Sequence, residues 1–410
     1  MDENSPKNNF GIDDFIAFAV VLLASCIIGI YFAYKDRKDS SMSTYFFGGK
    51  QMHPVAVGLS MAVTFQSSIA VIAEPTEAYI VGNVAIWYPI TSFLAFTLSF
   101  FYFMPAFYTM DHGTIFEYLQ IRFNTYVAKI AAITNTISTI FYMGLVVYAP
   151  ATVLNAVTPI SLNWSIVLTS VICTFYTALG GMKAVMWTDV FQSGIMIIGI
   201  ISVFIQGLIK IGGFGSLFEA LERGERYTAG RFDYGLISRI SPLALLLGGV
   251  GQKLNSQGLS QQIVQRYQSC KSLRHAQYAA LFYIVPTSLI FLINVGNGLV
   301  MYAYFEGCDP VKSGEIEEID QGVPYMTLKL FADIPAMSGI FVAAVFSGSL
   351  STISSGINSF SMVIVEDFIT PCSEKVANSD TMKIILGKTF GNGYDFMYKK
   401  YPSRAPPRGI

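Results

Sequence analysis

Runs of about twenty or more mostly apolar residues, long enough to cross the hydrocarbon core of a bilayer as helix, recur along most of this sequence. They fall at 11–34, 55–80, 84–109, 128–157, 162–180, 187–211, 240–262, 275–304 and 337–369. Backbone polar groups in lipid must be satisfied within their own segment, so such runs leave helices as the available structure. The chain is therefore read as an all-α polytopic membrane protein with about nine spans. Of its 410 residues, 53% are hydrophobic and 13% charged, against about 25% charged in a soluble domain, and mean hydropathy is +0.50. A net charge of −1 offers no basic stripe for phosphates, so no nucleic-acid partner is expected. The expected surroundings are a lipid bilayer.

The first run contains Asp13 and Asp14 and has no basic stretch before it, which argues for a first anchor and against a cleavable leader. Cys26, Cys173, Cys270, Cys308 and Cys372 lack ligand spacing and are read as core residues, not a disulfide framework. Basic residues collect in 35–50 (Lys35, Arg37, Lys38, Lys50), 110–129 (Arg122, Lys129) and 266–274 (Arg266, Lys271, Arg274). The excess of lysine and arginine places these loops in the cytoplasm. With an odd number of spans, the N-terminus (1–10) lies outside and the tail (370–410), carrying Lys383, Lys388 and Lys399, lies inside. The loops 212–239 and 305–336 fall outside; the first carries Arg223, Arg226, Arg231 and Arg239 and is long enough to weaken the rule. The outer triplet Asn163-Trp164-Ser165 abuts the membrane.

Two segments are too polar for plain anchors. The run 55–80 carries Thr64, Gln66, Ser67, Ser68, Glu74, Pro75, Thr76 and Glu77, and 240–262 carries Gly248, Gly249, Gly251, Gln252, Lys253, Asn255, Ser256 and Gln257. Such residues act either as polar contacts between helices around a kink or as a discontinuous helix whose unwound carbonyls line a midplane site. The density favours the second. The two segments open successive blocks, 55–211 and 240–369. That is the layout of a LeuT-type inverted-repeat fold with an extra N-terminal helix (11–34) and an incomplete second repeat.

Segment 337–369 is rich in small and hydroxyl residues, from Ser347 and Gly348 through Ser351, Thr352, Ser354 and Ser355 to Ser361. Close helix packing explains a few of these; so many also suit a hard monovalent cation, which needs oxygen ligands. Ser351 and Thr352 hydroxyls, a carbonyl near Gly348 and carbonyls of Val63 to Gln66 provide a set without a carboxylate. Asp189 lies just inside a span, where it either serves an ion path or pairs with Lys183. Lys253 either pairs with an anionic solute or snorkels.

Several motifs together resemble the sodium/solute symporter family from about residue 10 to 388: Tyr45-Phe46-Phe47-Gly48-Gly49-Lys50, Tyr176 to Val185, Trp187-Thr188-Asp189-Val190-Phe191-Gln192, Gln265-Arg266-Tyr267 with Cys270-Lys271-Ser272, and Ser347 to Asn358 running to Glu366-Asp367. Pro75 to Tyr79, Tyr148-Ala149-Pro150 and Cys308-Asp309-Pro310 are similar to the branch of sodium-coupled monocarboxylate, multivitamin and iodide transporters. The resemblance implies uptake of a small anion across the plasma membrane, with Na+ as coupling ion. It implies a main sodium site at Val63, Gln66, Gly348, Ser351 and Thr352, and a second ion or substrate site at Ser67 and Tyr148. Asp189 would lie on the ion path, and Phe65, Ser68, Gln252, Lys253 and Gln257 would face the solute.

The stretch Gly251 to Ser256 departs from the aromatic or small hydroxyl residues more usual in the family. Family members continue for further spans beyond the point where this chain reads Thr389-Phe390-Gly391-Asn392-Gly393, which implies a shortened or alternative form. The alternative expectation is a non-transporting form that binds ions or associates with a full-length transporter; a homo-oligomer is the other partner considered. His53, His112 and His275 sit at loops or span edges without a nucleophile or metal cluster, so no enzyme activity is expected.

Overall fold

The computed structural model describes residues 10–35, 41–109, 113–158, 160–230 and 241–400, with the side chains of residues 33, 156, 173–180, 257 and 391–400 outside that description. In chain order the helices are α1 Ile12–Lys35, α2 Met42–Phe47, α3 Pro54–Phe65, α4 Ser68–Val81, α5 Tyr88–Leu98, α6 Met104–Tyr108, α7 Ile115–Arg122, α8 Thr125–Val157, α9 Leu162–Ile211 and α10 Phe214–Arg223. They continue with α11 Pro242–Lys253, α12 Gln261–Gln268, α13 Leu273–Tyr304, α14 Gly322–Leu330, α15 Met337–Val363, α16 Glu374–Ala377 and α17 Asp380–Lys400. Local chemistry sets several starts. Asn124 Oδ1 accepts from Val127 N at 3.0 Å before α8, Ser241 Oγ accepts from Ala244 N at 3.2 Å before α11, and Pro54 and Pro242 occupy first turns, where a missing N–H loses nothing.

Among the described residues, six helical segments are long and apolar enough to span a bilayer: Ile12–Phe32, Asn83–Tyr108, Thr125–Asn155, Gly181–Ile211, Leu273–Tyr304 and Met337–Cys372. The pair α3 and α4, bent by 58°, is a seventh. Of the other two expected spans, the first holds the shorter apolar stretch Leu162–Ile172. The second is α11, which gives way to a π turn at Leu254–Gly258 and then α12, because glycine, glutamine and lysine interrupt its apolar run.

Side chains sort by helical period. On α1, Ile16, Val20, Leu23 and Ile27 are exposed; on α8 the exposed stripe is Tyr126, Ile130, Ile133, Ile137, Phe141, Leu145 and Tyr148. Apolar stripes of this kind face lipid. By contrast α15 has no such stripe: 94% of its apolar window is buried, enclosed by α1, α3, α8 and α9.

The expected spans 162–180 and 187–211 are two helices that meet at a kink at Gly181 (φ 57°, ψ −161°) with no loop between them, and together they make up α9. A side chain there would meet the Tyr45 ring and carbonyl at 2.9 Å, so glycine allows both the positive φ and the close approach. The stretch read as a polar tail forms α17. It docks on α2, α9 and α15, with Lys388 Nζ 5.6 Å above the Tyr45 ring and Lys383 Nζ 3.1 Å from Glu366.

Two cysteines depart from the core reading. Cys308 and Cys372 are exposed, one in the loop after α13 and the other in the turn after α15, while Cys270 is buried. Cys173 and Gln257 carry side chains outside the described residues. Two arginines of the loop 212–239 are engaged, while Arg231 and Arg239 lie outside the described residues. Arg223 makes a two-pronged bond to Glu306 at 2.9 and 2.8 Å. Arg226 lies 4.3 Å over the Tyr302 ring and donates to the Ile80 carbonyl, pinning the loop to the C-terminal end of α4.

Candidate cation and solute site

The break between α3 and α4 falls at Gln66 and Ser67, whose backbone leaves the helical region (Gln66 ψ 63°, Ser67 ψ 173°). It rests on the hydroxyl-rich helix α15 at Gly348 and Thr352. At Gly348 an added Cβ would meet Ser68 N at 3.0 Å, Ser67 C at 3.1 Å and Gln66 O at 3.2 Å. The absent side chain is therefore what lets α15 touch the unwound backbone. One turn on, Thr352 Oγ1 donates to Thr64 O at 2.8 Å and to Gly348 O at 2.9 Å. Ser351 and Thr352 are fully buried.

Gln66, Gly348, Ser351 and Thr352 are thus brought to one locus. Val63 is buried there with its side chain in the main core. Gln66 Nε2 also reaches Thr287 O on α13 at 3.3 Å. The donor set is hydroxyls and carbonyls alone, the chemistry a hard cation without a strong charge requirement would use. Ser68 is held by Ser349 Oγ, which also donates to Val146 O at 3.1 Å. Phe65 packs on the cluster of Met61, Phe96 and Tyr283.

Tyr148 does not join Ser67. It is 46% exposed and continues the lipid-facing stripe of α8; the α8 tyrosine beside Ser67 is Tyr142, six residues earlier. Gln252 is exposed and Lys253 half-buried, with Lys253 Nζ 5.5 Å over the Tyr88 ring.

Asp189 pairs with Arg266, not with Lys183. The Arg266 Nη2 to Asp189 Oδ2 distance is 3.1 Å, with the side chains 1% and 0% exposed. Lys183 instead lies beside the Gly48–Gly49 turn. Arg266 also donates through Nε to Ser60 Oγ at 2.8 Å, through Nη1 to Gln262 O at 3.1 Å, and through Nη2 to Thr64 Oγ1 at 2.7 Å and to Ser355 Oγ. Ser60 Oγ donates in turn to Asp189 Oδ2 at 2.5 Å.

This overturns the placing of Arg266 in a loop: α12 carries it into the protein interior, where one carboxylate and four further oxygens satisfy its donors. The network reaches the cation locus, since Thr64 Oγ1 lies 3.3 Å from Ser351 Oγ. Ser60, Thr64, Ser355 and Arg266 were absent from the expected site. The i, i+4 spacing of Ser60 and Thr64 on an otherwise apolar helix was the available signal.

The sequence profile of the "Sodium:solute symporter family" matches residues 45–389. The chain is 39% identical over 372 residues to human sodium-coupled monocarboxylate transporter 2, covering 89% of this chain and 59% of that protein. It is 38% identical over 393 residues to mouse sodium-coupled monocarboxylate transporter 1 (94% and 64%), and 36% identical over 369 residues to the human sodium/iodide cotransporter (90% and 57%). The chain thus spans about three fifths of the length of these curated relatives.

Among solved structures, a sodium-coupled sialic acid symporter in its substrate-bound, outward-open state superposes with a TM-score of 0.86 at 22% identity, covering 96% of this chain and 80% of that one. This likeness fixes the fold, an inverted-repeat arrangement built around two interrupted helices. With a broken span, a buried hydroxyl-rich helix against it and a family profile over most of the chain, this multi-pass membrane protein belongs to the sodium:solute symporter family.

Proposed function

We propose that the chain carries out sodium-coupled symport, importing a small organic anion across the plasma membrane, with the N-terminus outside and the C-terminus inside. The observation that carries this reading is the docking of Gly348 to Thr352 on the unwound backbone at Gln66 and Ser67. A cation coordinated by the Ser351 and Thr352 hydroxyls and the carbonyls of Val63, Gln66 and Gly348 ties α15 to the broken span. Binding there favours the arrangement in which both interrupted helices present the solute site. The coupling free energy between ion and solute is about 1–3 kcal/mol, as is usual for linked sites.

Ser67 with Tyr142 borders the site on the α8 side, and Phe65, Ser68, Gln252 and Lys253 face the solute. Asp189 lies on the inward path of the ion, where its partner Arg266 must yield for the carboxylate to meet a second cation. The repeat blocks are 55–211 and 240–369. Support for an anionic solute comes from Lys253 and from the monocarboxylate and iodide relatives.

The test is sodium-dependent uptake of labelled lactate, nicotinate, biotin, pantothenate or iodide in cells expressing this chain. Thr352→Pro, which breaks the helix and removes the hydroxyl, abolishes uptake, and Thr352→Ser retains it. Surface-expressed protein that takes up none of the five refutes transport by this form. Sodium dependence that persists in the proline variant refutes the site.

A further inference from the structure

The cation locus leaves unexplained a second charged cluster, on the outer side of the break. Glu74 lies on α4, and its Oε2 accepts from Asn294 Nδ2 of α13 at 2.9 Å. Phe291, one turn from Asn294 on the same helix, packs on Tyr88 at 5.2 Å between ring centroids. Above Tyr88 sits the Lys253 ammonium, 5.5 Å from the ring centroid. Gly249 lets α11 come this close, since a Cβ there would touch Thr91 Cγ2 at 3.3 Å, and Lys253 follows Gly249 by one turn.

A carboxylate and an ammonium therefore flank the Tyr88 and Phe291 rings, Glu74 reaching in through Asn294 of α13 and Lys253 from α11, near enough for each to feel the other's charge. Among the described residues Lys253 forms no ion pair within 4 Å. Its charge is eased by an aromatic face and by a more distant carboxylate, which leaves its N–H donors open.

Ionisable groups at membrane depth pair with one another or face a pathway, and a loosely held pair does both in turn. We propose that Glu74 is the internal counter-ion of Lys253, and that the anionic group of the transported solute takes its place at the ammonium. This rests on the symport reading above and adds the residue that makes the site demand an anion. A solute without charge leaves Lys253 with Glu74 and gains nothing from displacing it. An anion meets a cation whose carboxylate partner stands off. Removing the Glu74 charge then strengthens anion binding, because a competitor for the same ammonium is lost, whereas removing Lys253 weakens it.

The experiment uses the full chain in lipid nanodiscs. In a melting cycle without solute, Glu74→Gln and Lys253→Gln each lower the midpoint, and the double variant loses less than their sum. The exchanged variant Glu74→Lys/Lys253→Glu restores stability; its failure to do so, or additive singles, overturns the pairing, even if a single variant folds poorly. In binding with sodium present, labelled nicotinate binds Glu74→Gln roughly tenfold more tightly and Lys253→Gln roughly tenfold more weakly, the change that about 1.4 kcal/mol of altered charge–charge energy produces.

Neutral nicotinamide distinguishes neither variant from the parent. Nicotinate that binds the parent but gains nothing in Glu74→Gln overturns the exchange and leaves the symport reading standing. A parent that binds no nicotinate overturns the exchange, and only loss of uptake of every anion also overturns symport.

Discussion

Replacing Arg266 by glutamine is the most demanding perturbation the structure offers, because it strands Asp189. At the 3.1 Å separation of this pair, Coulomb attraction with an effective dielectric of about 20 is about 5 kcal/mol. Most of that is offset by desolvation, so the intact pair contributes little net stability. The loss on breaking it is uneven. Without Arg266, Asp189 keeps the Ser60 hydroxyl, and its Oδ1 has no hydrogen-bond partner among the described residues; leaving a buried charge uncompensated costs about 3–5 kcal/mol.

Without the Asp189 charge, Arg266 still donates to Ser60, Thr64, Ser355 and Gln262, so Asp189→Asn costs less, on the order of 1–3 kcal/mol. The double variant Asp189→Asn/Arg266→Gln removes both charges and recovers most of the Arg266→Gln loss. Thermal melting of detergent-purified chains, followed by the fraction that remains monodisperse, gives the three values as a double-mutant cycle. If Arg266→Gln melts no lower than Asp189→Asn, or if the double variant is additive, the pair does not hold this network.

Gly348→Val drives a branched side chain into Ser67 and Ser68 and removes sodium dependence from uptake or ion binding, while the conservative Ser347→Ala retains it. Gly181→Ala forces an L side chain into φ 57° against Tyr45 and lowers the melting midpoint, with a cost of about 1–3 kcal/mol for the strained backbone. Between α13 and α14 the bond from Tyr325, helped by Lys329, holds the Glu315 carboxyl below the usual glutamate range. Its stabilising effect is present above the unfolded value of about 4.3 and is lost as pH falls through the folded one. Hydrogen exchange of α14 is therefore faster in Glu315→Gln than in the parent at neutral pH, and the two converge in acid; a difference that persists or grows in acid contradicts the assignment.

Much of the architecture was legible because lipid leaves few options. The break at Gln66 and Ser67 could be read from polar residues crowded into an apolar run, and Gly348 with Ser351 and Thr352 from a helix too rich in hydroxyls for its length. Charge was harder. A rule that counts arginines in loops cannot see that α12 turns Arg266 inward, since that depends on Asp189 more than seventy residues away. Tyr148 was misplaced although its position was available: steps of three and four from Tyr126 through Ile130, Ile133, Ile137, Phe141 and Leu145 lead to it along the lipid face. That two spans meet at Gly181 in a kink, with no loop between them, was hidden because a single residue with positive φ looks, in sequence, like any other small residue in a membrane helix.

A helix buried on every side raises a question of assembly. The hydroxyl-lined surface of α15 gains little from lipid, so a newly synthesised α15 left alone in the bilayer has no favourable face to present. Of its partners, α1, α3, α8 and α9 precede it in the chain and α17 follows, so most of the slot it fills can exist before it leaves the ribosome. Insertion of α15 is then a docking event as much as a partitioning one. Substitutions that spoil the slot should leave this helix exposed to quality control during biogenesis, before any question of ion binding arises.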